Sequence, residues 1–148
     1  MNQQTIQKIA LDSCVVIDLI EKPTFARRVR KALKGKSIQI VLCDIVLNEV
    51  QRVRGFSHKK IITKISEGLK RKISIVQVSD EEKIQAKQIS SQFQICHNGD
   101  NKILAICQMK NFILVTFDRM LRKASEFVGI VVFHPLCVGG IWNDRLVS

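Results

Sequence analysis

Short apolar runs rich in Ile and Val alternate along this chain with longer stretches that space their apolar residues at helical intervals. The β-rich runs are "QKIALD" (Gln7–Asp12), "SIQIVLCD" (Ser37–Asp44), "ISIVQVSD" (Ile73–Asp80), "FILVTFD" (Phe112–Asp118) and "GIVVFHP" (Gly129–Pro135), the last stopped by its proline. Between them, "VVIDLIEK", "FARRVRKALKGK", "IVLNEVQRVRG", "HKKIITKISEGLKR", "DEEKIQAKQISSQFQI", "CHNGDNKILAICQ" and "RMLRKASEF" read as helices. The second ends near Gly35 and the third near Gly55, and the fifth starts at an acidic cap. In "HKKIITKISEGLKR" the residues Ile61, Ile62, Ile65 and Leu69 fall on one helical face. Strand and helix in alternation imply parallel pairing through right-handed crossovers, hence an α/β domain with helices on both faces. The uninterrupted apolar strands fit a sheet covered on both sides.

The chain has 148 residues, enough for one ordinary domain, and its 46% apolar content supports a real core. One domain over 1–148 is expected, with residues 136–148 ("LCVGGIWNDRLVS") as a tail without an assigned role. No apolar run reaches the roughly 18–20 residues of a membrane span. The opening "MNQQTIQKIALD" lacks the charged and apolar regions of a signal peptide. Five cysteines (Cys14, Cys43, Cys96, Cys107, Cys137) form no CxxC pair, and several lie inside apolar runs. Reduced, buried thiols in a cytoplasmic protein are the expectation. The three histidines are too scattered for a zinc site, and only Cys96 and His97 adjoin.

Net charge is +11, from 24 Lys and Arg against 13 Asp and Glu, which favours an anionic partner such as nucleic acid. The basic residues come in blocks at Phe25–Lys36, His58–Lys72 and Asp118–Lys123. Arg27, Arg28, Lys31 and Arg119 are the candidates for holding a nucleic-acid backbone. Aromatic residues are few and do not interleave with the blocks, so phosphate contact is expected rather than a stacking platform.

Acids are the minority charge, so their placement carries information. Asp12 ends the first strand, Asp44 the second and Asp118 the fourth, while Glu49 lies one to two turns into the helix after Asp44. Asp100 opens the helix "DNKILAICQ" in register with Leu104 and Cys107, on an apolar face where a bare charge is costly. In a parallel sheet these acids converge at the carboxyl edge, where sites form. Asp44 reads best as a plain N-cap, Asp12 and Asp118 could each cap the helix that follows, and Asp18 reads as exposed or supporting. Together the carboxylates repel one another unless a cation shares them, and hard oxygen ligands suit Mg²⁺ or Mn²⁺. An acidic pit among basic helices is the layout of a nuclease.

In this order the motifs resemble those of the PIN-domain family, metal-dependent ribonucleases that include VapC-type toxins. The residues carrying the resemblance are "ALDSCVVIDLI" with Asp12 and Ser13, "CDIVLNEVQR" with Asp44 as cap and Glu49 as acid, "HNGDNKILAICQ" with Asp100, and "ILVTFDRML" with Thr116 and Asp118. They span Lys8 to Pro135. The resemblance implies a three-layer α/β/α PIN-like domain with a central, mainly parallel sheet of four to five strands. It implies Mg²⁺ or Mn²⁺ held by Asp12, Glu49, Asp100 and Asp118, with Thr116 supporting and Ser13 and Asn101 in the outer shell. The reaction implied is hydrolysis of an RNA phosphodiester, and the partners implied are RNA, a second copy of the chain and, in the toxin subset, a small antitoxin. An RNA-processing PIN nuclease shares the same site, and a noncatalytic PIN-like RNA-binding scaffold is the reading from another class. A dehalogenase-type phosphatase needs an acid where Cys14 stands, and a dinucleotide-binding domain needs a glycine-rich turn that "LDSCVVID" lacks.

Overall fold

The computed structural model describes residues 6–92 and 99–135. Five parallel strands form one sheet: β1 (Gln7–Leu11), β2 (Ile38–Cys43), β3 (Ile73–Val76), β4 (Ile113–Val115) and β5 (Val132–Phe133), in the order β3-β2-β1-β4-β5. Helices α1 (Ser13–Glu21) and α2 (Pro23–Leu33) join β1 to β2, and α3 (Asp44–Arg54) and α4 (His58–Leu69) join β2 to β3. Then α5 (Asp80–Gln92) and α6 (Asp100–Lys110) lead back across β1 to β4, and α7 (Arg119–Phe127) joins β4 to β5. Right-handed crossovers send α1–α4 to one face and α5–α7 to the other, because the chain reverses direction across the sheet after β3. The α/β/α expectation and the parallel sheet therefore hold.

The central strands are sealed on both faces. Ile9, Ile40, Leu42 and Leu114 are fully buried, and each such side chain contributes about 1.5–3 kcal/mol on burial. In α4, Ile61, Ile65 and Leu69 face the core, as their spacing requires, with Ile62 half-buried beside them. Arg71 fastens the lower edge: its guanidinium donates to the carbonyls of Leu33, Lys36 and Ile38, tying the end of α2 to the start of β2. Cys14, Cys43 and Cys107 are free thiols, while Cys96, His97 and Cys137 lie outside the described residues. Burial pushes the Cys43 thiol up to about 12 and raises that of Cys107 as well. Among the described residues no helix is long and apolar enough to cross a membrane.

Two expected caps are placed differently. Asp44 is the first residue of α3, not its N-cap, and its Oδ1 accepts from the N–H of Ile45 (2.8 Å) and of Val78 (3.3 Å), bracing the loop after β3. α5 is capped by Ser79 rather than by an acid. The Ser79 hydroxyl accepts from Glu82 N–H (3.2 Å) and the Glu82 carboxylate accepts from Ser79 N–H (2.8 Å), a reciprocal capping box. Glu82 is buried and also pairs with Lys110 at 3.4 Å.

Candidate active site

Asp12 follows β1 directly and is buried. Its Oδ1 accepts from Ser13 N–H at 2.8 Å, which starts α1. Its Oδ2 accepts from the Thr116 hydroxyl at 2.6 Å and from the Cys14 thiol at 3.6 Å. Three donors converge on this carboxylate and fix its plane. Burial, then the Asp12 charge, pushes the Cys14 thiol up to about 11, so it stays protonated and donates. Thr116 lies fully buried beyond β4, and its oxygen also accepts from Asp118 N–H at 3.0 Å. One hydroxyl thus joins two of the acids. Asp118 caps α7 through Oδ1, which takes the N–H groups of Met120 (2.9 Å) and Leu121 (3.1 Å). Arg122 steadies the loop between them by donating to the carbonyls of Thr116 and Phe117.

Asp100 is buried at the first turn of α6, behind Gly99, whose φ of 101° favours glycine. Asn98 lies outside the described residues, and Gly99 is the N-cap residue without a side-chain bond. Glu49 is half-buried on α3 and makes no hydrogen bond or ion pair among the described residues.

A cavity of about 300 Å³ brings all four predicted acids together: its wall is Asp12, Ser13, Cys14, Glu49, Asp100, Phe117 and Asp118. It adjoins a larger cleft of about 690 Å³ that shares Asp12, Glu49 and Asp100 and adds Asn48, Arg52 and Lys102. Among the described residues, no three His, Cys, Asp or Glu side chains are drawn together as a ready cage for a metal ion. The donor set nevertheless fits a hard divalent cation. It is oxygen only, Glu49 is uncommitted, and every described hydrogen bond of the Asp118 carboxylate falls on Oδ1.

Other predicted residues separate. Ser13 lines the cavity. Asn101 does not: its amide donates to the Ala86 carbonyl (3.2 Å) and the Ser90 hydroxyl (2.7 Å), so it fastens α6 to α5 instead of supporting the acids. Asp18 pairs with Lys22 at 3.1 Å. Arg27 and Lys31 line a groove of about 770 Å³ with Arg30, Lys34, Lys70 and Arg71 around Leu69, near the start of β2 and β3. Arg28 instead faces a pocket beside the acids, and Arg119 is exposed next to Asp118. Arg52 and Lys102 went unrecognised in the sequence. Arg52 had a signal, standing one helical turn after Glu49, whereas Lys102 had none. Phe117, which the sequence reading did not single out, lines the acid cavity and packs on Phe25, with ring centroids 6.1 Å apart.

Comparison with known proteins places the fold in a family. The PIN domain model matches residues 9–126. The chain belongs to the PIN-domain family. No curated protein matches the chain. Solved structures with the same fold include VapBC2 from Rickettsia felis bound to a promoter DNA fragment, at 18% identity and TM-score 0.66, covering 86% of this chain and 98% of that one. VapBC-1 from nontypeable Haemophilus influenzae is similar at 14% identity and TM-score 0.65, covering 88% and 99%. FitAcB from Neisseria gonorrhoeae is similar at 18% identity and TM-score 0.58, covering 86% and 98%. In PIN terms, the acids of the cavity come from the ends of β1 and β4 and from the two helices α3 and α6.

Proposed function

We propose that this PIN-domain protein is a divalent-metal-dependent endoribonuclease, with Asp12, Glu49, Asp100 and Asp118 as the residues that hold Mg²⁺ or Mn²⁺. The observation that carries the reading is the convergence of four carboxylates from four elements on one small cavity of a strongly basic chain. When bound there, the ion supplies an activated water and neutralises charge on the leaving oxygen. The chain's own residues do the rest. Thr116 and Ser13 N–H orient Asp12. Asp118 is held by its own helix N-terminus. Arg52 and Lys102, on the adjoining cleft, hold the phosphodiester backbone.

The toxin role is supported by the VapBC and FitAB complexes among proteins of the same fold. We infer a small antitoxin and a second copy of the chain as protein partners, and the cytoplasm as the place of action. Finding a short reading frame just upstream that encodes a DNA-binding protein with an amphipathic C-terminal segment would favour the toxin over an RNA-processing enzyme. The test of the central claim is cleavage of single-stranded and structured RNA with Mn²⁺ or Mg²⁺ against chelator, for wild type and Asp100→Asn. Metal-dependent cutting is expected in the wild type and none in the variant, whose circular dichroism and thermal midpoint stay native-like. Equal cutting by the variant removes Asp100 from the metal site. Tight RNA binding without cutting under either metal makes the protein a scaffold instead.

A further inference from the structure

A pocket of about 640 Å³ opens beside the acid cavity, bounded by the end of α1, the start of α2 and the loop after β4. Phe117 belongs to both, so one ring is the wall between them. That ring is held rather than loose. Phe25 packs on it at a 43° tilt, His134 meets it edge-on with centroids 5.2 Å apart, and Arg122 grips its carbonyl at 2.9 Å. Burial and the nearby Arg122 charge lower the His134 pKa, keeping that supporting ring neutral at neutral pH. The charges around the pocket are largely spent on each other: Asp18 pairs with Lys22, and Glu21 with Arg54 at 2.9 Å. Arg28 lines the pocket, is exposed, and makes no ion pair among the described residues.

A half-buried aromatic wall with one uncommitted guanidinium suits a flat π-system carrying a phosphate. We propose that this pocket takes an unpaired nucleobase of single-stranded RNA adjacent to the phosphate lying over the acids, with Phe117 stacking on the base and Arg28 holding the neighbouring phosphate. The inference rests on the nuclease reading only for the position of that phosphate. A strand crossing from one space to the other passes Phe117, which explains why the ring separates them. Phe117 acts here as a positioning residue for the cut.

The test measures binding apart from cleavage. In the Asp100→Asn protein, a single-stranded RNA carrying 2-aminopurine reports stacking by loss of its fluorescence. Quenching is expected with the native Phe117 and with Phe117→Tyr. Phe117→Leu keeps the apolar bulk but loses the extended π-face, so quenching disappears and affinity falls about tenfold or more. In cleavage-competent protein the same change raises KM more than it lowers kcat. Arg28→Gln, an exposed change that leaves packing intact, lowers the salt slope of binding by about one phosphate's share. Unchanged affinity and quenching in Phe117→Leu, together with an unchanged slope in Arg28→Gln, overturn the proposal and leave the pocket to a protein segment. The two readings fail separately. A wild type that quenches but never cuts keeps the base pocket and loses the nuclease, while cutting that is undiminished by Phe117→Leu does the reverse.

Discussion

Thr116 shows how much one side chain carries in this cavity. Its hydroxyl hydrogen can serve only one acceptor, and it goes to Asp12, leaving an oxygen lone pair for Asp118 N–H. Thr116→Val keeps the shape and removes both bonds inside a fully buried site. The expected cost is about 1–3 kcal/mol of stability, read from denaturant unfolding, with cleavage falling further because Asp12 loses its strongest orienting donor. Thr116→Ser restores both bonds and most of the activity. A valine variant that cuts as fast as wild type sinks the positioning role. At this scale the sequence was informative where chemistry left few options. Asp12, Asp100 and Asp118 stand at strand ends and a helix start, among the few acids of a basic chain. Asn101 was misleading because adjacency to Asp100 does not fix direction: successive helical residues diverge by about 100°, and its amide turns to α5.

Asp118 caps helix α7 and also lines the acid cavity, so its capping and its proposed metal role can be tested apart. Its Oδ1 satisfies two orphan N–H groups of the first turn. Asn caps about as well as Asp, whereas Ala does not. Asp118→Asn is therefore expected to unfold within about 0.5 kcal/mol of wild type and to lose cleavage, while Asp118→Ala loses cleavage and about 1 kcal/mol as well. Thermal unfolding beside the RNA assay separates the two, and retained cutting in the Asn variant reduces Asp118 to a cap. The ends of α2 and α3 were legible to within a few residues because Gly35 and Gly55 mark them. The caps of α3 and α5 were less so. Asp44 and Asp80 are good capping residues by type, but Asp44 bonds Val78 across the sheet edge and Ser79 forms the box with Glu82. The first outcome depends on a neighbour that the local sequence does not contain, whereas the Ser-x-x-Glu spacing of the second is a local signal that the acidic run obscured.

Across the whole molecule, charge is divided between ends. The carboxylates collect beyond β1 and β4, and the Arg27 and Lys31 groove lies near the starts of β2 and β3. The net charge of +11 predicted RNA contact but not this division, because helix α2 turns Arg27 and Arg28 toward different spaces. Reversing Arg27 and Lys31 to Glu is expected to weaken binding of long RNA and flatten its salt dependence, each lost contact removing about 0.7 from the slope for a single strand. An oligonucleotide only long enough to cover the acids should bind almost as before. Equal losses for both lengths would place the groove on the path of every substrate. The aromatic wall was hidden for the same reason as the division of charge: Phe25 and Phe117 meet only after the sheet has assembled.

The strand order has a consequence in time. β1 is made first yet ends in the middle, between a strand from each half of the chain. A chain growing on the ribosome carries Asp12 and Glu49 early, but Asp118 emerges only after β4. Until that strand docks against β1, the fourth carboxylate and the Thr116 bridge are missing. For a protein whose proposed target is RNA, the nearest RNA is the messenger being translated and the ribosome itself. On the proposed reading, an unfinished chain that reaches them lacks the last acid of the cavity, which comes from the far side of the fold.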